Sequence, residues 1–389
     1  MLIFLLVYFS IYGGMNLYLF GKVYLAFRPS GLRLLLLALF ALLMVTGPVI
    51  VRMLERADFL LQARVLALVT YIWMAAVLWF LFLGLAVDIF NLILRAFAIP
   101  VPGFSKLLIP PQMSLAVISA IILAAMAWGL VENSRVRVER VSIRTPLLKP
   151  GSAPIRIAQI SDLHLGLIVG RSRLEKVMSL IRQADPHILV STGDMVDGMA
   201  PHLDNISGLF DEIKPPMGKF AVMGNHEFYV GISKSIKFHE RAGFRVLRGE
   251  SVKAGDNIVF VGVDDPAGSR VGRPSWTDEN AALPDSSPEV FTVLLKHQPV
   301  IRDRSMGRFN LQLSGHTHGG QIFPFNVIVK KRYPMMKGLY DLESGSYIYT
   351  SRGTGTWGPP FRVMSPPELT VITLLPMERS FKFQVPGSR

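Results

Sequence analysis

The sequence contains no cysteine in its 389 residues. This absence excludes thiolate nucleophiles, cysteine-ligated zinc and disulfide bonds, although a cysteine-free protein suits reducing and oxidising compartments alike. Charged residues are also scarce, at 18% of the chain, against about 25% in a typical soluble domain. Acidic residues number 28 and basic residues 41, which gives a formal net charge of +13. With half of its residues hydrophobic, the chain is not a disordered, collagen-like or disulfide-stapled protein, nor a single ordinary soluble enzyme.

Histidine is absent from residues 1–150, and all 8 histidines lie further along the chain. Residues 1–150 hold 13 Lys/Arg and 5 Asp/Glu, whereas residues 151–389 hold 28 and 23. The first part is therefore a hydrophobic block with few charges. The second part has the composition of a globular domain and carries nearly all the groups that do chemistry near neutral pH.

Four uncharged segments occupy the first part, at residues 1–21, 34–51, 65–87 and 110–131. A helix needs about 20 apolar residues to cross the hydrocarbon core of a bilayer. We therefore predict a membrane domain over residues 1–132 with about four transmembrane helices. A cleaved signal peptide and buried core helices explain the pattern less well, because no basic residue precedes the first segment and three more segments follow.

The charges beside these segments predict the topology. With four spans, the second loop and the tail after the last span share one side and carry 8 Lys/Arg, against 5 on the other side. The positive-inside rule then places the C-terminal domain in the cytoplasm. Residues 88–112 either continue the third helix or form an interfacial connector, and we expect the connector.

Residues 133–389 alternate patterns typical of strands and helices, with strands dominating towards the end. This order predicts an α/β domain built as a layered sandwich of two mixed sheets. The predicted strands lie at 135–143, 155–160, 188–192, 220–223, 258–263, 291–295, 311–314, 347–351 and 369–374, and the predicted helices at 172–184, 203–213 and 233–242.

Polar side chains follow five of these strands at the point where each strand ends. Because ligands bind at the carboxyl ends of strands in α/β sheets, we expect these side chains to form one site. They supply carboxylate, amide and imidazole groups, which suit first-row divalent metals. Seven such groups exceed the needs of one ion and fit two ions that share a carboxylate. The seven are Asp162, His164, Asp194, Asn225, His297, His316 and His318.

The order of these groups resembles the calcineurin-like metallophosphoesterase superfamily. Its motifs D-x-H, GD, GNH(D/E), a lone H and GHxH are all present, and the resemblance covers residues 153–376. Later features are similar to the bacterial membrane-associated branch with N-terminal transmembrane helices, among them Gly319-Gly320-Gln321-Ile322, Tyr333, Gly338-Leu339-Tyr340, Ser351-Arg352-Gly353-Thr354-Gly355 and Pro366-Pro367-Glu368-Leu369. The resemblance implies a four-layer αββα sandwich in a phosphoesterase domain at 133–389, anchored in the cell or inner membrane.

The resemblance also implies a role for each site residue. One metal would be held by Asp162, His164, Asp194 and His318, and the other by Asp194, Asn225, His297 and His316. The ions would be Mn, Fe, Zn, Co or Ni, with Mn favoured. His226 would be the catalytic residue that protonates the leaving oxygen or stabilises the transition state. Asp197 would orient a ligand from outside the metal's own ligand set.

The expected reaction is hydrolysis of a phosphomonoester, phosphodiester or pyrophosphate by a hydroxide that bridges the metals. Residues 322–336 mix large apolar side chains with Lys330, Lys331 and Arg332, which favours a lipid-linked or membrane-surface substrate and contact with anionic lipid. A packed loop that covers the site explains the same segment. The alternatives are a nuclease or nucleotide phosphodiesterase, and a membrane sensor with a regulatory phosphoesterase domain. Nucleic acid is not the expected partner, because 8 of the 13 net charges lie in the first 150 residues.

Overall fold

The computed structural model describes residues 2–198, 206–284, 289–342 and 345–377. The chain divides into two compact units. One contains Met1–Ser134 together with Trp357–Val363, and the other contains Arg135–Thr356 together with Met364–Arg389.

Four long helices make up most of the first unit: α1 (Leu2–Phe27), α2 (Gly31–Arg56), α3 (Leu60–Ala98) and α4 (Pro111–Ser134). A short 3-10 turn, Pro102–Leu107, precedes α4. By length and composition α2, α3 and α4 are able to cross a membrane. That α1 is a fourth span stays a prediction.

The third helix is longer than the sequence suggested. The predicted connector begins at Asp88, but α3 continues to Ala98 and reaches 39 residues, about 58 Å at 1.5 Å per residue. Asp88 lies inside this helix, where it forms an ion pair with Lys22 and accepts a hydrogen bond of 2.7 Å from the Tyr18 hydroxyl. These partners offset the cost of placing a carboxylate among apolar helices, so Asp88 does not end the helix.

The segment Trp357–Val363 packs against the helices of the first unit. Phe361 stacks on Trp79 with ring centroids 5.6 Å apart, and the Arg362 backbone N–H donates to the Gly129 carbonyl at 3.1 Å. Gly129 permits this approach, because a Cβ there would lie 2.9 Å from the Val363 side chain. The predicted phosphoesterase domain at 133–389 includes this segment, whereas the structure groups it with the helices of the first unit.

The second unit is a sandwich of two six-stranded mixed sheets. The first sheet has the order β1-β12-β2-β3-β4-β5, in which only the β12–β2 pair is antiparallel. Its strands are β1 (Arg137–Thr145), β2 (Ile155–Ile160), β3 (Ile188–Ser191), β4 (Lys219–Ala221), β5 (Arg245–Val246) and β12 (Glu368–Pro376). The second sheet has the order β10-β11-β9-β8-β7-β6, with antiparallel pairs at both edges. Its strands are β6 (Glu250–Lys253), β7 (Ile258–Gly262), β8 (Phe291–Leu295), β9 (Leu311–Ser314), β10 (Gly338–Asp341) and β11 (Tyr347–Thr350).

Alternating side chains decide which face of each sheet is internal. Ile157 and Val190 of the first sheet join Phe260 and Val293 of the second in one core between the sheets. Their neighbours Ala158 and Leu189 point the other way and pack with Leu174 and Val177 of α5 (Arg171–Ala184). The outer face of the second sheet packs around Val259, Val261, Ala282 and Leu283. The predicted four-layer αββα sandwich is confirmed.

Short helices fill the remaining connections. They are α6 (Asn225–Val230), α7 (Ile232–Arg241), α8 (Ala267–Arg270), α9 (Glu279–Ala282) and α10 (Phe325–Arg332). The helix predicted at 203–213 lies partly outside the described residues, and its described part contains a 3-10 turn at Gly208–Glu212. The sequence did not predict the edge strands β5, β6 and β10, because two to four half-exposed residues carry no clear periodicity.

Candidate metal centre

Five strands deliver the predicted ligands to one region of the sandwich. The loops after β2, β3 and β4 come from the first sheet, and the loops after β8 and β9 come from the second. Backbone hydrogen bonds join these loops: the Asp162 N–H donates to Gly193 at 3.0 Å, and the Gly315 N–H donates to His297 at 2.9 Å. All seven predicted ligands are therefore brought together.

The backbone at these loops adopts a conformation that is costly for residues with a side chain. Five of the seven predicted ligands have positive φ angles, and strain of this kind is concentrated at functional sites. The five are Asp162 (51°), His164 (50°), Asp194 (52°), His316 (72°) and His318 (50°). The left-handed turns bend each loop sharply, so that side chains from separate strands face one point.

Asp162, His164 and His318 form the first group. Their ligand atoms lie within 4.8 Å of one another. Nε2 of His164 lies 3.1 Å from Nε2 of His318, which in turn lies 3.5 Å from Oδ1 of Asp162. Burial is the largest of the effects that lower the pKa of His164 to about 4, so the imidazole is neutral and its lone pair is available to a cation.

Asn225, His297 and His316 form the second group with Asp194. Oδ1 of Asn225 lies 3.0 Å from Nδ1 of His316 and 3.2 Å from Nε2 of His297. His297 Nδ1 is 2.8 Å from the Thr192 carbonyl, to which only a protonated nitrogen can donate. Nε2 of His297 then faces the other ligand atoms.

The Asp194 carboxylate lies between the two groups. Its Oδ2 is 3.1 Å from Nε2 of His297 and 3.8 Å from Nε2 of His164. Burial raises the pKa of Asp194, but the neighbouring histidines outweigh burial and hold that pKa well below its usual value. In turn, burial lowers the pKa of His297, and the Asp194 carboxylate outweighs it and raises that pKa well above its usual value.

These contacts fit two divalent cations. Oxygen and nitrogen ligand atoms converge at 3.0–3.8 Å in both groups, and a shared carboxylate stands between them. A set of carboxylate, amide and imidazole donors suits first-row metals. The donor set does not select one metal from that series.

His226 and Asp197 lie beside the first group. Nδ1 of His226 donates to Oδ1 of Asp197 at 2.5 Å, and the His226 ring centroid lies 4.6 Å from that of His164. Burial lowers the pKa of His226, but the carboxylates of Asp194 and Asp197 outweigh it and raise the pKa to about 9. Oδ2 of Asp197 lies 4.0 Å from Nδ1 of His164. Asp197 thus orients His226 directly and stands near the ligand His164.

Glu227 is the last residue of the GNH(D/E) motif, and the sequence alone indicated no role for it. Its buried carboxylate accepts backbone hydrogen bonds from Asp194 (2.9 Å), Met195 (2.8 Å), Val196 (3.3 Å) and Gly224 (2.8 Å). Burial and the Asp194 carboxylate raise the pKa of Glu227 to about 7, against the effect of the N–H donors. Glu227 thus holds the Gly-Asp loop against the loop that carries Asn225. Its place in the GNH(D/E) motif was the available signal.

Tyr333 is a second residue near the metal centre for which the sequence indicated no role. Its hydroxyl lies 3.1 Å from Nε2 of His316 and donates to Oε1 of Gln298 at 3.2 Å. Since the hydroxyl hydrogen is used by Gln298, the oxygen accepts from His316 Nε2, which leaves Nδ1 of His316 facing the second group. No local motif marks this role.

Comparisons with known proteins identify the family of the chain. The family model described as calcineurin-like phosphoesterase matches residues 155–320. The chain is 42% identical over 249 residues to an uncharacterized metallophosphoesterase of Aquifex aeolicus, and the aligned region covers 64% of this chain and 95% of that protein. It is 31% identical over 273 residues to a transmembrane protein with metallophosphoesterase domain of Danio rerio, and here the aligned region covers 66% of this chain and 62% of that protein. A calcineurin-like phosphoesterase of Bacillus subtilis is a structural neighbour, with 13% identity and a TM-score of 0.34 over 55% of this chain and 88% of that one.

Proposed function

The chain belongs to the calcineurin-like metallophosphoesterase family, and from that premise we propose that it hydrolyses a phosphate ester or pyrophosphate on a lipid-linked or membrane-surface substrate. The resemblance inferred from the five motifs is confirmed, and the chain is a phosphoesterase hydrolase with candidate metal-ligand groups. The observation that carries the proposal is the convergence of seven ligand side chains in one region, with the Asp194 carboxylate between the two groups formed by the other six.

The proposed roles follow from the contacts of each residue. Asp162, His164 and His318 would hold one cation, Asn225, His297 and His316 would hold the other, and Asp194 would contribute to both. When bound, such a pair of cations supplies an activated water for in-line attack on phosphorus and stabilises the negative charge that develops there.

The protein's own acid–base group is His226. Because Nδ1 of His226 is engaged by Asp197, proton exchange with the leaving oxygen falls to Nε2. Asp197 keeps the ring in that orientation. We propose that Asp197 acts only through His226 and His164 and does not bind substrate.

A lipid-linked substrate is supported by α10, which follows the GHxH motif. No side chain of this helix is buried. Phe325, Val327 and Ile328 are 43–58% exposed, and the last turn carries Lys330, Lys331 and Arg332. An exposed apolar surface next to a cluster of cations suits the headgroup region of an anionic membrane. Because Tyr333 follows directly and contacts His316, this surface adjoins the metal centre.

We also propose the membrane arrangement expected from the sequence, with a membrane domain at 1–132 and the phosphoesterase domain at 133–389 in the cytoplasm. The excess of Lys/Arg, 8 against 5, beside the predicted cytoplasmic ends supports it. Single-cysteine labelling in intact cells tests the topology, because the chain has no native cysteine to interfere. A cysteine at Ser251, on the exposed strand β6, should react only after the membrane is permeabilised.

Asp194→Asn tests the metal centre. We expect hydrolysis of bis-p-nitrophenyl phosphate by the full-length protein with Mn²⁺ to fall by at least about 100-fold, since the shared negative charge is removed. The matched control is Asp256→Asn, an exposed aspartate in the turn before β7. Wild-type activity in Asp194→Asn would refute the site assignment.

Ile328→Asp tests the lipid proposal. It should lower the rate on a lipid diphosphate in anionic vesicles and leave the rate on soluble p-nitrophenyl phosphate unchanged. The control Met377→Asp places the same charge at another exposed apolar residue, 47% exposed, beyond the end of β12 that lies away from the metal centre. Equal rates of wild type and Ile328→Asp on the vesicles, or activity confined to soluble nucleotides, would refute the lipid proposal.

A further inference from the structure

A sixth strand of the sandwich, β7, is also followed by carboxylates. Asp264 and Asp265 come directly after it, and both side chains are buried, at 2% and 1% exposure. Asp264 forms an ion pair with Arg248, whose Nη2 lies 2.8 Å from Oδ2 of the aspartate. Within the described part of the chain, no lysine or arginine pairs with Asp265. A buried carboxylate without a cationic partner is costly, so its hydrogen bonds deserve to be followed.

Both oxygens of Asp265 accept hydrogen bonds from neutral donors. Oδ1 accepts from the Ala267 N–H at 2.8 Å, and Oδ2 accepts from Nε2 of Gln298 at 2.8 Å. The backbone N–H of Asp265 donates to the Met223 carbonyl at 3.0 Å, just beyond β4. Because an ionised carboxylate only accepts, Gln298 has to turn its amide nitrogen towards Asp265 and its carbonyl oxygen away from it.

A chain of hydrogen bonds continues from Gln298 to the candidate ligand His316. The Gln298 carbonyl oxygen accepts from the Tyr333 hydroxyl at 3.2 Å. Since that hydrogen is used, the Tyr333 oxygen accepts from Nε2 of His316, 3.1 Å away. Every donor in the chain therefore points towards the Asp265 carboxylate. With its proton on Nε2, His316 presents the lone pair of Nδ1 to the second group of ligands.

His316 also has a competing tautomer. Its Nδ1 lies 3.0 Å from Oδ1 of Asn225 and 3.2 Å from Nε2 of His297. The Asn225 oxygen is able to accept a hydrogen bond from a protonated Nδ1. In that tautomer Nδ1 has no lone pair and cannot bind a cation. Metal binding at this position therefore requires that the proton be kept on Nε2.

We infer that Asp265 is a positioning residue for the second cation, because its carboxylate sets the tautomer of His316 through the hydrogen-bond chain. The charge also strengthens a chain whose bonds all run in one direction. Metal-binding histidines commonly donate their other ring N–H to a carboxylate, and here two side chains stand between the histidine and the carboxylate. The inference rests on the proposed function only in taking the second group as a cation site.

Asp265→Asn removes the charge with almost no change of shape. The Ala267 N–H keeps the asparagine oxygen as its acceptor, so the asparagine NH₂ group faces Gln298. The Gln298 amide then turns over, the direction of every later bond reverses, and the Tyr333 hydroxyl donates to Nε2 of His316. The proton of His316 moves to Nδ1. We expect the second Mn²⁺ ion to bind about 10- to 100-fold more weakly, while the affinity for the first changes little.

Two measurements on the full-length protein in detergent, in mildly alkaline buffer, test this inference. Nitrogen NMR of isotope-labelled histidine in the metal-free protein reports which ring nitrogen carries the proton, and His316→Gln identifies the signals of His316. Calorimetric titration with Mn²⁺ reports the two affinities. We expect the proton on Nε2 in wild type and on Nδ1 in Asp265→Asn. The same protonated nitrogen in both proteins, or second Mn²⁺ affinities within about twofold of each other, would overturn the inference.

Tyr333→Phe breaks the chain beside His316 and keeps the inference testable if Asp265→Asn fails to fold. It should weaken binding of the second Mn²⁺ ion by a similar factor. The double variant should bind this ion no more weakly than the weaker single variant, because Asp265 acts only through Tyr333. Losses that add in the double variant would count against the chain.

Asp264→Asn is the matched control. It removes the neighbouring buried carboxylate and breaks the ion pair with Arg248, so it should lower thermal stability. Both Mn²⁺ affinities and the tautomer of His316 should stay as in wild type, and a change of tautomer here would contradict the role given to Asp265. Asp265-dependent Mn²⁺ binding by a protein that hydrolyses no ester would refute the proposed function and leave the role of Asp265 standing.

Discussion

Replacing Glu227 with glutamine should destabilise the phosphoesterase domain strongly, although the change is nearly isosteric. The carboxylate accepts two backbone N–H groups at each oxygen: Met195 and Val196 at Oε1, Asp194 and Gly224 at Oε2. Glutamine keeps one acceptor oxygen, and its NH₂ group then faces two backbone donors. Each buried donor left unsatisfied costs about 1–3 kcal/mol, so the substitution costs about 4 kcal/mol in all.

The assay is thermal unfolding of the full-length protein in detergent. For a domain of this size, about 4 kcal/mol corresponds to a fall in melting temperature of about 10 °C. The measurement is made at pH 8, above the pKa of about 7 to which burial and the Asp194 carboxylate raise Glu227, so that the wild-type side chain is ionised. Mn²⁺ affinity should fall with stability, because three of the four donors, those of Asp194, Met195 and Val196, lie in the loop that carries Asp194.

The control is Glu240→Gln, an exposed glutamate on α7, which should melt within about 2 °C of wild type. If Glu227→Gln also melts within that range at pH 8, the four hydrogen bonds do not hold the loops together, and the structural role given to Glu227 is wrong.

Three further substitutions probe separate parts of the domain. Glu279→Gln should destabilise by about 3–5 kcal/mol in chemical unfolding, because it leaves the buried Lys296 ammonium without its anionic partner. Gly193→Ala should lower Mn²⁺ affinity in a metal titration, because Gly193 has φ of 97° and an added Cβ would lie 2.7 Å from the Gly224 nitrogen; unchanged affinity would contradict this. His239→Leu should reduce the loss of stability on acidification. Burial lowers the pKa of His239 from 6.5 to about 4, so between these pH values the unfolded chain binds a proton that the folded chain does not. The free energy of unfolding is therefore highest above pH 6.5, and this histidine lowers it by about 2 kcal/mol at pH 5. Equal pH dependence of the two proteins would refute this.

Local sequence was sufficient for much of the fold and for the identity of the candidate ligands. Hydrophobic runs marked the helices of the first unit, and the pairs Asp162/His164 and His316/His318 stood directly behind strand patterns. These features are local, since each depends on residues within one turn or one strand. The end of α3 was misjudged for a physical reason: Asp88 is tolerated in the helix because Lys22 and Tyr18, about seventy positions away, supply its partners.

Tertiary structure alone decided how distant residues combine. Sequence cannot show that Tyr333 orients His316 through an oxygen whose hydrogen goes to Gln298, or that Gly268 lets α8 pack against Phe228 in the helix of His226. It likewise gave no sign that Trp357–Val363 packs with the membrane helices. Periodicity reports which face of an element is buried, but not which element covers it. The choice of partner depends on how both sheets and their loops close around one site, and that is determined only when the whole chain packs.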